Sequence, residues 1–367
     1  VVGYLACWLE SRKVEREMLG GEQMKIAFIG FGGVGQALAK LFIRNKEQLK
    51  KQYGFEPTVV AVTDVMKGAV YHPEGLDVAK LLDLVQKTGN VEDYPDQAGL
   101  VKGWDSLKTI KEANADMIVE VTYTDVKTGQ PAIDHCRAAF EHQKSVVTTN
   151  KGPVALAYKE LSELAKNNGV YWGFEGTVMS GTPALRMPET ALAGNEITEI
   201  KGILNGTTNY ILTEMEKGSS YEVALKQAQK LGYAEADPTS DVEGYDARYK
   251  AVILANYLMG EQLNAEDVTC KGISHFTSEI VDDALQEKKK WRLIARIKKN
   301  DKGVEAKVQP EMVEESDPLA GVSGATNAIV YECDLAGPIM LTGAGAGLVE
   351  TGYSLLIDII NFQRQNI

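Results

Sequence analysis

Histidine and cysteine are scarce in this chain, four of each among 367 residues. His72, His135, His142 and His275 form no H-x-x-x-H pair and no triad-like pattern. That disfavours a zinc site and a histidine-based hydride-transfer mechanism. His135 and His142 read as residues of a helix surface. Cys7, Cys136, Cys270 and Cys333 lack metal-ligand spacing and read as buried thiols of a reducing, cytoplasmic compartment. No apolar run approaches the ~20 residues of a membrane span. Basic charge is in deficit, with 39 Lys and Arg against 51 Asp and Glu and a formal net charge of -12. A nucleic-acid partner is therefore not expected. The remaining balance, 44% hydrophobic and 25% charged, suits a soluble protein of two or three domains.

Residues 1–23 look foreign to the fold. They are too short for a span and lack the basic start of a signal peptide. A strand pattern begins at Met24, and Gly20-Gly-Glu-Gln-Met24 could be a translated ribosome-binding site, so natural translation is expected to start at Met24. From there Lys25–Gly30 is a strand, Gly30-Phe31-Gly32-Gly33-Val34-Gly35 a glycine turn, and an amphipathic helix runs to about Tyr53. Gly30, Gly32 and Gly35 fit G-x-G-x-x-G. The first glycine permits the tight turn, the second lets backbone N–H groups approach a pyrophosphate, and the third lets helix and strand pack closely. The helix N-terminus then faces the anion. Between a strand and a helix, this points to a dinucleotide rather than a plain βα turn.

Strand and helix patterns alternate up to about Leu156: Thr58–Thr63 ending at Asp64, a helix at Leu76–Lys87, and buried strands at Asp116–Val121 and Ser145–Thr149. This predicts an α/β fold, a Rossmann-type doubly wound parallel sheet. Ligand residues should gather at the carboxyl ends of its strands: Gly30 to Gly35, Asp64, Thr122 to Asp125, and Thr148 to Lys151. Beyond it, Val170–Phe174 and Ile197–Leu204 read as strands. Glu175–Pro183 is a glycine-rich loop, Asn205 opens a helix, and Glu266–Lys299 reads as mostly helical. Strands return at Val304–Val308 and Asn327–Leu341, and a second glycine loop, Gly337–Gly352, leads into a helix at Tyr353–Phe362. This second part predicts an α+β catalytic and dimerisation domain. The expected division is 24–156 with 336–367 for the nucleotide and 157–335 for the second domain.

Leu231–Lys250 is the most chemically loaded stretch, with Glu235, Asp237, Asp241, Glu243, Asp246 and Lys250. Ser240 and Glu243 read as a capping box that starts a helix near Asp241. Asp246 and Lys250 then lie four apart on one face. On an arbitrary protein this would be a solvated ion pair. Here the helix runs on into apolar Ala251–Ala255, and Gly244 hints at a close approach. Hydride transfer to or from a carbonyl carbon also needs a proton donor or acceptor at the oxygen. With no plausible histidine, Lys151 and Lys250 lead. Glu235 and Asp241 could bind an ammonium group while a lysine or backbone N–H groups bind a carboxylate, which describes a small amino acid.

Taken together, the chain resembles the homoserine dehydrogenase family from Met24 to Ile367. The segments that carry the likeness are Gly30–Gly35, Val146-Val-Thr-Thr-Asn-Lys151, Glu175-Gly-Thr-Val-Met-Ser-Gly-Thr-Pro183, Leu204-Asn-Gly-Thr-Thr-Asn-Tyr210, Gly232-Tyr-Ala-Glu-Ala-Asp-Pro238 with Asp246 and Lys250, and Gly343-Ala-Gly-Ala-Gly347. The resemblance implies NAD(P)H-dependent reduction of aspartate 4-semialdehyde to homoserine, on the route to threonine, methionine and isoleucine. It implies Lys151 and Lys250 at the reacting oxygen, with Glu235 and Asp246 essential beside them. Thr207, Tyr233, Glu235 and Asp241 would hold the amino-acid end. Cofactor contacts would come from Gly30 to Gly35, Asp64, Thr122, Lys151, Gly345, Gly347 and Glu350. It also implies a monovalent cation, Na+, on the backbone carbonyls of Glu175, Val178, Ser180 and Thr182, and a homodimer formed through the second domain's sheet. A C-terminal regulatory module, carried by many members, is not expected after Gln363–Ile367. NAD and NADP remain open: Asp64 could bond ribose hydroxyls, while Lys67 could pair with a 2′-phosphate. Two other readings stand beside this one, a reductase of a different small aldehyde and a nucleotide-binding sensor without turnover.

A lysine donor sets the pH dependence. An ordinary ammonium keeps its proton at neutral pH and can give it to a developing alkoxide, but must lose it before accepting one. Carbonyl reduction is expected to run readily near neutral pH, and alcohol oxidation to rise above about pH 9. An oxidation rate that peaks below neutrality contradicts a lysine donor.

Overall fold

The structure, a computed structural model, describes residues 22–365. The expected N-terminal extension therefore lies outside the described residues, apart from its last two. Its first strand, β1 (Glu22–Ile29), starts two residues before Met24. The others of the first sheet are β2 (Phe55–Asp64), β3 (Gly68–Tyr71), β4 (Val101–Lys102), β5 (Met117–Glu120), β6 (Ser145–Thr148) and β7 (Trp172–Gly173). Their order is β4-β3-β2-β1-β5-β6-β7. Strands β2, β1, β5, β6 and β7 are parallel, while β3 and β4 add antiparallel at one edge.

Burial on both faces explains why β1 and β5 read as continuous apolar runs. Along β1, Ile26 and Phe28 face one core with Leu38, Phe42, Leu355 and Ile359. Ala27 and Ile29 face the other with Ile110, Phe140 and Leu161. The glycine-loop helix, Gly33–Tyr53, packs against the C-terminal helix, Leu348–Gln365. The strand order reverses between β1 and β5, so their carboxyl ends frame the crevice in which such sheets bind ligands.

The second sheet comprises β8 (Ile197–Ile203), β9 (Thr269–Cys270), β10 (Lys289–Asn300), β11 (Gly303–Glu314), β12 (Thr326–Cys333) and β13 (Gly337–Ala344), in the order β13-β12-β8-β10-β11-β9. It is antiparallel except for the β9–β11 pair. Leu293, Ala295, Ile297, Val308, Ile329 and Tyr331 face a core shared with helices Gly206–Met215 and Tyr245–Leu258. By strand pairing, 172–173 belongs to the first sheet and 337–344 to the second.

Two local expectations change. The span 266–299 is not mostly helical: the helix is Ser278–Gln286, and 289–300 is β10. Leu293, Ala295 and Ile297 alternate with period two, and the hairpin with β11 satisfies the whole ladder. The Ser240–Glu243 capping box does not form. A short helix, Thr239–Val242, ends there, and Gly244 at φ 80° restarts the chain as Tyr245–Leu258. A side chain at Gly244 would meet Cys270 Sγ and Val308 Cγ1, each at 3.2 Å, so protein packing is what approaches it.

At the glycine turn, Gly30 has φ 92°, and a Cβ there would lie 2.5 Å from the Val121 carbonyl oxygen. A Cβ on Gly32 would meet open space. Gly30→Ala should therefore cost about 2 kcal/mol or more of stability. Gly32→Ala should stay within about 0.5 kcal/mol and instead weaken dinucleotide binding. Thermal melting and a cofactor titration separate the two effects.

Candidate active site

The nucleotide end is built from β1 and β2. Gly32 precedes the helix, no acidic residue stands in the first turn, and the free N–H groups there suit a pyrophosphate. The Asp64 carboxylate, at the end of β2, accepts the Phe31 N–H at 2.7 Å through Oδ2 and the Met66 and Lys67 N–H groups at 2.9 and 3.1 Å through Oδ1. Lys67 Nζ stands 3.5 Å from Oδ1. Burial pushes the Asp64 carboxyl up, but the N–H donors and Lys67 outweigh it and hold the group below its usual range. Gly33 is close-packed against Leu348, which places the C-terminal glycine segment beside the nucleotide loop.

The chemical end lies where β6 meets the second core. Asn150 accepts the Gly152 N–H at 3.1 Å and caps the short helix Lys151–Leu156. That helix packs on Tyr245–Leu258, with Val154 and Ala155 in the same apolar cluster as Ala247 and Ala251. This contact brings two residues 99 positions apart in sequence, Lys151 and Lys250, to one carboxylate. Lys250 Nζ donates to Asp246 Oδ2 at 2.6 Å and to the Leu204 carbonyl at 2.6 Å. Lys151 Nζ lies 3.6 Å from Asp246 Oδ1. Asn205 donates to Asp246 Oδ2 at 3.1 Å and to Asp241 Oδ1 at 2.7 Å. The Thr207 hydroxyl meets the Tyr233 carbonyl at 2.5 Å and Asp241 Oδ2 at 3.2 Å. A cavity of about 640 Å³ is lined by Lys151, Thr207, Tyr233, Asp241, Asp246 and Lys250, and by Ser180 and Gly345.

The two carboxyl groups are shifted in opposite directions for physical reasons. Burial would raise Asp246, but the Lys250 and Lys151 ammoniums override it and hold the carboxyl far below its ordinary range. Asp241 is pushed up by burial and then by the Asp246 charge; Asn205, Lys250 and Thr207 offset only part of this.

Not every expected residue joins the cluster. Glu235 is exposed, outside the cavity lining; among the described residues only its backbone carbonyl is engaged, by Gln229 Nε2 at 3.0 Å. Thr122 is tied to Glu120, a fully buried carboxylate that also accepts from Thr148 at 3.2 Å and meets His135 Nδ1 at 3.3 Å. His135 is thus buried, contrary to its expected surface position, because Glu120 supplies a partner inside; His142 is exposed. Glu350 leans on Gly347. Asn205 was not singled out as a site residue from the sequence, although its position before Gly206–Met215 was legible as an N-cap.

The glycine-rich loop 175–183 offers carbonyl oxygens. Glu175 is buried; its carboxylate accepts the Leu185 and Arg186 N–H groups at 3.0 and 2.8 Å, and burial raises its carboxyl. Met179 and Ser180 have φ of 58° and 53°, a conformation that favours glycine and collects at functional sites. The carbonyls of Val178 and Ser180 take no hydrogen bond from the described residues, and that of Glu175 takes a long one, 3.4 Å from Val178 N–H. The Thr182 carbonyl accepts Ala184 N–H at 2.7 Å. Among the described residues three of the four oxygens are thus open or only weakly engaged, and the fourth accepts a hydrogen bond.

A dinucleotide crevice that opens toward a lysine-paired carboxylate defines an NAD(P)-dependent oxidoreductase. A family model described as Homoserine dehydrogenase matches residues 183–360, and one described as Glutamate/Leucine/Phenylalanine/Valine dehydrogenase matches residues 11–127. The chain is 45% identical to an NAD(+)-dependent homoserine dehydrogenase of Pseudomonas canavaninivorans, over 93% of this chain and 97% of that one. The chain belongs to the homoserine dehydrogenase family. It is also 44% identical to the homoserine dehydrogenase of Methanocaldococcus jannaschii, over 92% and 98% of the two chains. A crystal structure of a putative homoserine dehydrogenase from Archaeoglobus fulgidus superposes with a TM-score of 0.82 at 37% identity, over 92% and 98% of the chains. A hyperthermophilic archaeal homoserine dehydrogenase in complex with NADPH gives 0.79 at 29% identity, over 94% and 98%. No described helix is long and apolar enough to cross a membrane.

The two carboxylates have opposite linkage. Asp246 is depressed in the fold, so its pairing stabilises the protein above the ordinary carboxylate range and is lost as pH falls below it. Asp241 is raised, so its ionisation costs stability as pH rises through its folded value. Asp241→Asn should therefore melt at or above the parent temperature at pH 8 while raising KM for the amino-acid substrate about tenfold or more. A lower melting temperature with unchanged KM would contradict both assignments.

Proposed function

We propose that the chain reduces aspartate 4-semialdehyde to homoserine, reversibly. The observation that carries this is the convergence of Lys151 and Lys250 on Asp246 at the edge of a cavity that also holds Asp241 and Thr207. The amino-acid end sits against Asp241, Thr207 and Tyr233, with the Asp241 carboxylate toward the ammonium. Glu235 joins them only through an inward movement of its exposed loop. The reduced nicotinamide, when bound, supplies a hydride for the aldehyde carbon. Lys250 or Lys151 then gives a proton to the oxygen. Asp246 holds both ammoniums in place beside the cavity. In the oxidative direction the same lysine, deprotonated, takes the hydroxyl proton.

The Rossmann-type part, with its Gly30–Gly35 turn, Thr122 and the Gly345–Glu350 return, holds the cofactor in this reading, and the second part holds the substrate and pairs two copies through its sheet. The carbonyls of Glu175, Val178 and Ser180 would hold the monovalent cation, with Thr182 offering the lone pair that Ala184 N–H leaves free, and the ion would fix the loop beside the cavity. NAD is favoured over NADP because the charged Asp64 would repel a 2′-phosphate and already engages Lys67.

A spectrophotometric assay with homoserine and each oxidised cofactor at equal concentration is the direct test. Turnover should be found, faster with NAD; a faster rate with NADP would remove the role given to Asp64. Lys250→Ala should bind cofactor as the parent does yet lose at least ~100-fold in turnover. Equal turnover would leave Lys250 without a chemical role, and cofactor binding with no turnover in the parent would favour a sensor.

A further inference from the structure

Asn327 is almost wholly buried, second in β12, and lines the active-site cavity, yet the reaction leaves it without a part. Its Nδ2 donates to the Ile203 carbonyl at 2.6 Å. A carbonyl can only accept, so the amide orientation is settled and Oδ1 points the other way. Among the described residues Oδ1 has no hydrogen-bond partner, and a buried acceptor left unpaired is costly. It lies directly on Gly345: a Cβ built there would fall 1.2 Å from it.

Both neighbours matter. Ile203 begins a three-residue run in which Leu204 accepts from Lys250 Nζ and Asn205 donates to Asp246 and Asp241. Gly345 belongs to the segment that ends β13 and enters helix Leu348–Gln365, which packs on the glycine-loop helix. Asn327 pairs with Gly343 in the strand register, so its side chain stands between the support of the catalytic lysine and the loop that returns to the nucleotide.

We propose that Asn327 is a positioning residue that registers the 343–347 glycine loop against the Lys250–Asp246 pair. The inference rests on the reaction proposed above. Its donor side holds the 203–205 run in place. Its unpaired oxygen fills the space that a side chain at 345 would need and so keeps that loop close to the cavity.

Reciprocal substitution in the full chain, assayed as homoserine oxidation, tests this. Asn327→Ala should lower kcat by about 10- to 100-fold, the scale of a small misplacement of reacting groups. KM for homoserine should stay within about threefold, because no group that binds it is removed. Gly345→Ala puts a methyl where Oδ1 lies and should also lower kcat by about tenfold or more. Its backbone is not among the positive-φ glycines, so the clash is the cause. In the double variant the vacated space accepts the methyl, and the combined loss should be clearly smaller than the product of the two single losses. If Asn327→Ala does not fold, Asn327→Ser, too short to reach either neighbour, takes its place with the same outcomes. Parental kcat in the Asn327 variant, or fully multiplicative losses, overturns the proposal. Absence of homoserine oxidation in the parent sinks the reaction itself instead.

Discussion

Two ammonium groups need a negative charge between them if both are to sit at the mouth of a buried helix. Asp246 is that charge, and most of the site follows from it. Like charges so close would repel each other without a carboxylate between them. The carboxylate lies between the two lysines, and Asn205 satisfies part of what remains on the acid. Such a cluster is costly to desolvate and gains little net stability. Its value is geometric, since it aims two proton carriers at one point.

The fold supplies that geometry through a single unusual docking. Helix Lys151–Leu156 begins at the carboxyl end of β6, in the dinucleotide part, but buries Val154 and Ala155 in the core of the other part. The chemical site is thus made at the seam between two cores. The C-terminal segment crosses the same seam in the opposite direction, from β13 in the second sheet to a helix packed on the nucleotide loop.

Much of this was legible in advance where local chemistry is self-contained. The Gly30–Gly35 turn needs only a strand before it and a helix after it, and those patterns are strong. Lys151 stood out because it follows a buried strand, and Asp246 with Lys250 because of their spacing. The errors share one cause. Residues 289–300 carry a period-two pattern that is interrupted by charges, and only the β11 hairpin and the β8 edge decide that they form a strand. Ser240 and Glu243 had the right letters for a cap, but Gly244 turned left-handed beneath Cys270 and Val308. His135 looked exposed because nothing nearby in sequence announced the Glu120 carboxylate beneath it.

By itself, the order of residues determined the elements whose stability is local: the glycine turn, the apolar strands, the N-cap at Asn205 and the charged start of helix Tyr245–Leu258. It also determined which chemical groups were on hand, with lysines and carboxylates in place of histidine. Tertiary structure alone decided which of those groups meet. The approach of Lys151 to Asp246, the shift of the two aspartates in opposite directions, the exposure of Glu235 and the wedge of Asn327 on Gly345 all depend on distances between segments far apart in the chain. Electrostatics and close packing act through space, so no local pattern can carry them.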